Sequence, residues 1–527
     1  QINNRYAPDD KLLSFFGRFN YDYKGIYLFT ATLRADGSSM FASGNRWGYF
    51  PSIAGAWRLS DEDFMSDYAY WLSNLKPRLS IGSVGNNKIA SNQYMTIYSA
   101  GSAQGYIPYY SDLVFSAGDL MQNSDLRWET TITRNVGLDF GFFNNRLSGN
   151  IDLYYNNTKD LLLLLELPGS GYTGQYKNIG STENRGAEFV LNAIAIDKKN
   201  FGLDVSANIS VNRGKVVALD GRDEFFVGSL WAGSTLQNNM DYIVRLGEPV
   251  GQMYGYVTEG RYEADDFTWN GTQWIMNTDK YSISELAPDG VTNIYKDANG
   301  NTFVDNSGLT RKSWGPGALK LKDLNGDGKI TVDDQQIIGQ SAPKASGGFA
   351  LNARAYNFDL SANFTWVLGN DIYNANKIEF TSAGLDSWYG RNLTGEMSAA
   401  NRWTNIDPQT AEISRDPARL AAINANTTMW SPEMNGFIFH SWAVEDGSFL
   451  RLSSLSFGYT LPKEMLKKVH IQNLRFYVTA SNLFTLTKYT GYDPEVDTRR
   501  RSPLTPGVDY SAYPKSRSFN LGMNLSF

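Results

Sequence analysis

The segment 323–334, DLNGDGKITVDD, has residue types and a spacing that could bind a calcium ion. Its ligand positions 1, 3, 5, 7, 9 and 12 are Asp323, Asn325, Asp327, Lys329, Thr331 and Asp334. Ca²⁺ takes roughly six to eight oxygen ligands, and a glycine at position 6 permits the sharp turn that brings them together. The sequence therefore predicts a Ca²⁺ site in which Lys329 would contribute its backbone carbonyl.

Two features of this segment favour a structural calcium site over a regulatory one. Position 12 is Asp334, whose short side chain would bind the ion through one oxygen and more weakly than the bidentate Glu of a sensor loop. The preceding residues 315–322, GPGALKLK, read as extended backbone, so the paired helices of a calcium switch are not encoded. A turn formed without metal is the alternative, because Asp, Asn and Gly also make turns unaided.

Aromatic residues in the predicted loops are candidates for substrate contacts, because stacked rings beside Asp, Asn and Arg could hold sugars or peptides. The residues concerned are Tyr109, Tyr110, Trp269, Trp274, Trp388 and Tyr389. The alternative is that these rings pack the long loops against each other, since large loops need cores of their own.

Few residues of this chain could catalyse a reaction. There is no cysteine, which excludes disulfides, thiolate zinc sites and cysteine nucleophiles. The two histidines, His440 and His470, have no Gly-x-Ser-x-Gly segment or evident carboxylate partner beside them. The 48 Lys and Arg against 54 Asp and Glu give a net charge of −6, which argues against a nucleic-acid-binding surface. We therefore expect neither an enzyme nor a nucleic-acid-binding protein.

The elements that must position these residues are β-strands. Throughout the chain, apolar residues alternate with polar or small ones at a period of two, which is typical of strands. In 201–211, FGLDVSANISV, apolar residues alternate with small or polar ones, and 519–527, FNLGMNLSF, repeats the pattern. Strands are paired through short turns near 21–25, at 143–146, at 197–200 and at 356–357. We count about 14–16 strands, including 251–260, most of them ~10 residues long, which suits tilted membrane strands.

The remaining connections are long, and tight turns alternate with them. They span about 87–126, 158–185, 213–249, 261–345, 370–436 and 488–514. Short turns at one end and long loops at the other are typical of a transmembrane antiparallel β-barrel with short periplasmic turns and long extracellular loops. A soluble β-sandwich also alternates, but its connections keep a rhythm of about 8–12 residues per strand, which this chain breaks.

At this point the residues resemble a known family, the SusC/RagA-type TonB-dependent outer-membrane transporters of Bacteroidota. The similar segments follow one another in the family's order: LRADGSSMFASGNRWGYFPSIAGAWRLSDEDFM at 33–65, LRWETTITRNVGLDF at 126–140, NIGSTENRGAEFVL at 178–191, GEPVGQMYGYVTEG at 247–260, VEDGSFLRLSSLSFGYTLP at 444–462 and ASNLFTLTKYTGYDPEV at 480–496. One departure is Pro77, where the family usually has a residue that can donate to the ladder; it predicts a local break in pairing.

The resemblance implies that residues 1–527 are the C-terminal portion of a barrel of about 22 strands. The plug domain, the TonB box and the early strands of the family would then lie outside this chain, so we expect a fragment or one piece of a divided polypeptide. Residues 261–345 would form a long extracellular loop that carries the calcium-type segment.

The function implied by the resemblance is outer-membrane import of an oligosaccharide or an oligopeptide. The implied partners are a SusD-like surface lipoprotein that acts as a lid, the TonB–ExbB–ExbD complex, outer-membrane lipid and a second SusC–SusD pair. A non-transporting outer-membrane scaffold or adhesion component on the same barrel is the second hypothesis, and a soluble β-rich binding or hydrolytic protein is the third. The sequence alone names no substrate.

Overall fold

Strands make up most of the folded structure. The computed structural model describes residues 10–96, 98–101, 114–167, 169–233, 236, 240–277, 282–286, 293–296, 302–304, 315–325, 327–328, 330–383, 392–434, 436–467, 470–498 and 502–527. None of the helices in these residues is long and apolar enough to cross a membrane.

Thirteen strands form one continuous sheet, hereafter the wall. They are β1 (Leu12–Tyr23), β2 (Tyr27–Ser38), β3 (Trp47–Trp57), β4 (Leu72–Asn86), β5 (Glu129–Phe142), β6 (Leu147–Lys159), β7 (Ser181–Lys198), β8 (Phe201–Ala218), β9 (Ala345–Ala355), β10 (Phe358–Leu368), β11 (Phe449–Thr460), β12 (Asn473–Thr487) and β13 (Ser518–Ser526). Each pairs antiparallel with the next in chain order. Within the described residues, β1 and β13 are the two edges. The predicted antiparallel membrane sheet is thus confirmed, although it has thirteen strands in the described residues where the sequence predicted about 14–16.

The predicted tight turns lie where the sequence placed them. Between β5 and β6, the residues Phe143, Asn144 and Asn145 all have positive φ, near 55–58°. The turn between β9 and β10 uses Tyr356, whose φ is 54°. Two residues, 199–200, join β7 to β8. Left-handed residues of this kind match the twist of paired strands and let a hairpin close within a few residues.

The connections differ strongly between the two ends of the wall. The turn end carries 24–26, 58–71, 143–146, 199–200, 356–357 and 461–472. The opposite end, hereafter the loop end, carries 39–46, 87–128, 160–180, 219–344, 369–448 and 488–517. The predicted wall strand at 251–260 is wrong: this segment forms short strands of two small sheets inside connection 219–344. Alternation alone cannot show which sheet a strand joins.

The loop end contains many short elements. Its strands are Tyr98–Gly101, Val114–Ala117, Leu120–Met121, Leu162–Glu166, Gly174–Asn178, Glu224–Val227, Tyr242–Arg245, Gln252–Tyr256, Thr258–Arg261, Phe267–Trp269, Trp274–Met276, Ser282–Leu286, Asn293–Lys296, Thr302–Val304, Leu319–Leu321, Asp327–Gly328, Gln335–Gln340, Asp371–Asn374, Val444–Asp446 and Val508–Asp509. The helices are α1 (Ala375–Glu379) and α2 (Pro417–Ile423), with α3 (Lys463–Leu466) at the turn end. Short 3₁₀ turns at the loop end are Ala264–Asp266, Val332–Asp334, Gly395–Met397 and Ser441–Ala443. Two more, Leu59–Asp61 and Asp63–Tyr68, lie at the turn end.

The two faces of the wall have opposite chemistry. Leu79, Val136 and Leu153 stand opposite one another on β4, β5 and β6, and all three are exposed. One residue along, Arg78 reaches past Gly137 to Asp152, with Nη2 and Oδ2 3.0 Å apart. An apolar outer face and a polar inner face are what a membrane barrel requires.

Pro77 lies at the edge of one ladder. It is opposite Leu138 of β5, whereas the pairing of β4 with β3 ends one residue away, at Arg78 opposite Ala56. The predicted break therefore occurs only on the side of β3. The pairing with β3 has already ended there, so no hydrogen bond from an N–H of residue 77 is required.

Candidate functional site

The loop end has a packed core that joins three long connections. Its buried members include Trp231, Tyr242, Tyr373, Phe437 and Val508, which come from connections 219–344, 369–448 and 488–517. Several members of this cluster are aromatic, and such side chains bury large areas. The connections therefore form a folded body and are not independent loops.

Asp241 is a buried carboxyl group inside this core. It is 1% exposed and accepts hydrogen bonds from the Ser229 amide at 2.7 Å and from the Ser229 hydroxyl at 2.5 Å. Beside it, the Trp231 indole N–H donates to the Tyr373 hydroxyl at 2.5 Å. Burial raises the pKa of Asp241 to about 7, although the bonds from Ser229 oppose the rise. Sequence reasoning missed this group, because nothing around "NMDYIV" marks the aspartate as buried.

Connection 488–517 is fastened to the inner face of the wall. Arg451 of β11 is paired with Thr485 of β12, so the two side chains lie on the same face of the wall. The next residue, Leu486, is 60% exposed on the outer face, which places Arg451 on the inner face. The Arg451 guanidinium is bonded to Asp493 at 2.5 Å, and a second nitrogen lies 3.4 Å from Glu495. The long connection thus folds back over the polar side of the wall.

The calcium-type loop is closed by its last residue. Asp334 is fully buried, its Oδ1 accepts from the Leu324 amide at 2.9 Å, and its Oδ2 accepts from the Thr331 amide at 2.7 Å. Thr331 caps the short 3₁₀ turn that follows by accepting from the amide of Asp333 at 3.2 Å. Asp334 and Thr331 therefore hold the loop through hydrogen bonds to backbone amides. These contacts need no metal, so they also support the alternative of a turn formed without Ca²⁺.

The other predicted ligands are only partly placed. Asp323 and Asn325 lie in the described segment before the turn, and the backbone of Asp327 forms a short strand with 302–304. Lys329 lies outside the described residues. In the part of the chain that the structure describes, no three His, Asp or Glu side chains come close enough to hold a metal. The calcium site stays a prediction.

Of the six aromatic candidates, two can be placed. Trp269 and Trp274 face each other across a hairpin, with ring centres 5.3 Å apart. The Arg415 guanidinium lies 4.8 Å over the Trp269 ring, and Trp274 packs against Gly315 and two buried clusters. These contacts favour loop packing for both. Tyr109, Tyr110, Trp388 and Tyr389 lie outside the described residues.

The two histidines are not brought together. His440 is buried at the loop end between Trp430 and Trp442, whereas His470 is exposed in connection 461–472 at the turn end. Burial, assisted by the charge of Lys377, lowers the pKa of His440 to about 3, so its ring stays neutral near pH 7. A proton-transfer role at neutral pH does not fit such a group.

A cavity of about 900 Å³ opens between connections 369–448 and 488–517. Its lining includes Asn374, Lys377, Thr394, Thr490, Tyr492 and Tyr513, and it is called the loop cavity below. Its size lies within the range of roughly 300–1,000 Å³ that is usual for small-molecule sites. The sequence analysis missed it because its walls come from separate connections. The only sequence signal was the segment 480–496, which contains Tyr492.

Comparison with known proteins gives one consistent family. The model of the family described as "TonB dependent receptor-like, beta-barrel" matches residues 2–315. The chain is 33% identical over 527 residues to TonB-dependent receptor P3 of Formosa agariphila, which covers 99% of this chain and 46% of that protein. It is 30% identical over 530 residues to TonB-dependent receptor SusC of Bacteroides thetaiotaomicron, which covers 99% of this chain and 44% of that protein.

Solved structures agree in fold. The RagAB peptide importer in its closed-closed state has a TM-score of 0.71 and 25% identity, over 98% of this chain and 48% of that chain. The chain spans about half the length of the curated relatives it matches. The match to the TonB-dependent receptor barrel family confirms the predicted outer-membrane location, and this family consists of receptors and not of enzymes.

Proposed function

Since the chain belongs to the family of TonB-dependent receptor-like β-barrels, we propose that the protein imports an oligomeric nutrient, a glycan or a peptide, through the outer membrane. The observation that carries this proposal is the ion pair of Arg451 with Asp493, which holds a long connection over the polar face of the wall. A nutrient that enters the barrel would meet this folded body first. In this proposal the nutrient passes through the barrel formed by the wall, and the connections at the loop end select which nutrient binds.

The proposed partners follow from the same kinship. A SusD-like surface lipoprotein would cover the loop end as a lid, and TonB–ExbB–ExbD would supply energy from the inner membrane. Pairing of two such complexes into a dimer is part of the same proposal. The likeness to SusC and the fold of the RagAB peptide importer support it.

We also propose that Ca²⁺ stiffens the segment 323–334 from within connection 219–344. The order of ligand types supports this assignment, and Asp334 already brings both ends of the segment together. An exterior site of this kind could be weak, because extracellular sites bind at roughly 10⁻⁴–10⁻³ M Ca²⁺.

Uptake assays test the import proposal. Cells that express the protein with or without a functional TonB are supplied with glycan or peptide mixtures as the sole carbon source. We expect growth and depletion of one nutrient class only when TonB works, and a surface lipoprotein should co-purify. Equal growth of both strains on every nutrient would favour a non-transporting scaffold or adhesion component.

A further inference from the structure

The loop cavity presents two aromatic rings to solvent. Tyr492 is 78% exposed and Tyr513 is 90% exposed, and both line the cavity. Phe380 lines it as well and is partly buried. Most rings of the neighbouring core are buried, whereas these two are exposed in the part of the chain that the structure describes. Exposed rings offer flat apolar faces, which suit ligands that have an apolar face and a polar rim.

The cavity wall also contains hydrogen-bonding groups without partners. Asn374 is 2% exposed, its amide N–H donates to Glu445 at 2.9 Å, and its Oδ1 has no partner. The hydroxyl of Thr394 is buried in the same wall without a partner. A buried polar atom that lacks a hydrogen bond is costly, so a ligand that brings hydroxyl groups would be favoured here.

The positive charge of Lys377 in the wall is already paired, and Glu396 adds an exposed negative charge to the lining. Lys377 lies 3.4 Å from Glu445, and its ammonium group is 3.9 Å from the centre of the Trp442 ring. Glu445 also accepts from the amide and the hydroxyl of Thr490, at 2.8 and 2.9 Å. Lys377 is therefore engaged and is poorly placed to receive a carboxylate or a phosphate. An anionic ligand is therefore disfavoured, and the uncharged groups of Asn374 and Thr394 suit a neutral one.

An extended peptide is less suited to this wall. The strand Asp371–Asn374 lies in the middle of its small sheet, between Val444–Asp446 and Val508–Asp509. Thr498 covers Val508–Asp509, because its amide donates to the Val508 carbonyl at 3.1 Å and its hydroxyl accepts from the Tyr510 amide at 2.9 Å. The edge at Val508–Asp509 is thus occupied, and a peptide could not bind there by adding a strand.

We propose that the loop cavity is a binding subsite for a neutral oligosaccharide, with Tyr492 and Tyr513 stacking on sugar rings and Asn374 and Thr394 accepting from sugar hydroxyls. This inference rests on the proposed import function, for which it names the substrate class. The volume of the cavity allows more than one sugar unit to enter.

Binding measurements on the full-length protein in detergent test the subsite. The probes are an array of neutral glycans, an array of acidic glycans and a mixture of oligopeptides. Tyr492→Ala and Tyr513→Ala should each weaken neutral-glycan binding about tenfold, whereas Tyr492→Phe and Tyr513→Phe should retain most of it. Tyr70→Ala is the matched control, because Tyr70 is 82% exposed at the turn end and should have no effect.

The outcomes separate the subsite from the import function. Capture of neutral glycans that both alanine variants weaken supports the subsite, even if uptake proves independent of TonB. The subsite is overturned if no neutral glycan binds, if only peptides or acidic glycans bind, or if neutral glycans bind the alanine variants as well as the native protein. TonB-dependent uptake of peptides, unchanged in these variants, would reject the subsite and leave import intact.

Discussion

The guanidinium of Arg451 and the carboxylate of Asp493 form a buried ion pair that joins β11 to connection 488–517. The two side chains are 2% and 8% exposed, and the atoms Nη2 and Oδ1 are 2.5 Å apart. Neither residue stood out in the sequence, since charged residues are frequent in both segments. The pair determines where a long connection lies relative to the inner face of the wall.

The first prediction concerns loss of one partner of this pair. Arg451→Met leaves Asp493 buried without its counter-charge, and the expected cost is roughly 3–5 kcal/mol of stability. Protease cleavage within 488–517 should increase, and the heat-induced unfolding transition measured by gel mobility should shift to lower temperature.

The matched double variant tests the cause. Arg451→Met combined with Asp493→Leu removes both charges and should recover a large part of the loss. As an exposed control, Arg58→Met breaks the pair with Asp61, whose side chains are about half exposed, and should change stability by less than about 1 kcal/mol. If Arg451→Met behaves like Arg58→Met, the ion pair does not anchor the connection.

The second prediction concerns pH and Asp241. Because the pKa of this carboxyl is about 7 in the folded protein and near 4 in an unfolded chain, the folded state holds its proton more tightly. The contribution of Asp241 is complete below about pH 4, is lost as the pH rises to about 7, and is constant above that. The total effect is roughly 4 kcal/mol as an upper bound. Melting curves of the native protein between pH 5 and pH 8 measure it.

Asp241→Asn isolates this effect. The amide keeps an acceptor for the Ser229 N–H but carries no charge, so the decline in melting temperature between pH 5 and pH 8 should become smaller. Asp220→Asn is the control, because Asp220 is exposed and its pKa is lowered by Arg222. An unchanged pH profile in Asp241→Asn would show that this carboxyl is ionised throughout.

The sequence predicted the wall well because its signals are local. Alternation identifies two-faced strands, and turns such as 143–146 depend on residues that accept positive φ. The segment 251–260 shows the limit of this reasoning. It was predicted as a wall strand, but its partners are Tyr242–Arg245, Gln335–Gln340 and Leu319–Leu321, so its sheets are determined by distant pairing.

The candidate site was predicted less well for the same reason. The loop cavity brings Asn374 and Thr394 of one connection to Tyr492 and Tyr513 of another. None of these residues has a distinctive local spacing, and their common property is burial or exposure in the folded state. The calcium-type segment was visible because its ligands are contiguous in sequence. The hydrogen bonds by which Asp334 accepts from backbone amides and closes this loop could not be predicted from the sequence.

The third prediction separates metal from backbone closure in the calcium-type loop. If Ca²⁺ is bound, EDTA should increase proteolysis at 320–340, and Asp323→Ala should produce the same pattern without EDTA. Asp334→Ala removes an acceptor of backbone amides as well as a ligand, so it should open the loop even with Ca²⁺ present, at a cost of about 1–3 kcal/mol. If the native protein is cleaved identically with Ca²⁺ and with EDTA, the loop is held by hydrogen bonds to its backbone and not by a metal ion.

The fourth prediction concerns the two faces of the wall. Leu79 is 65% exposed on the outer face, so Leu79→Arg should place a charge in lipid and cost roughly 2–4 kcal/mol near the middle of the membrane. Ser80→Arg is the matched control, because its side chain points to the polar inner face beside Arg78 and should cost much less. The folded fraction recovered from outer membranes, measured by heat-modifiable gel mobility, should fall strongly for Leu79→Arg only. Equal losses for both variants would contradict the assignment of the outer face to lipid.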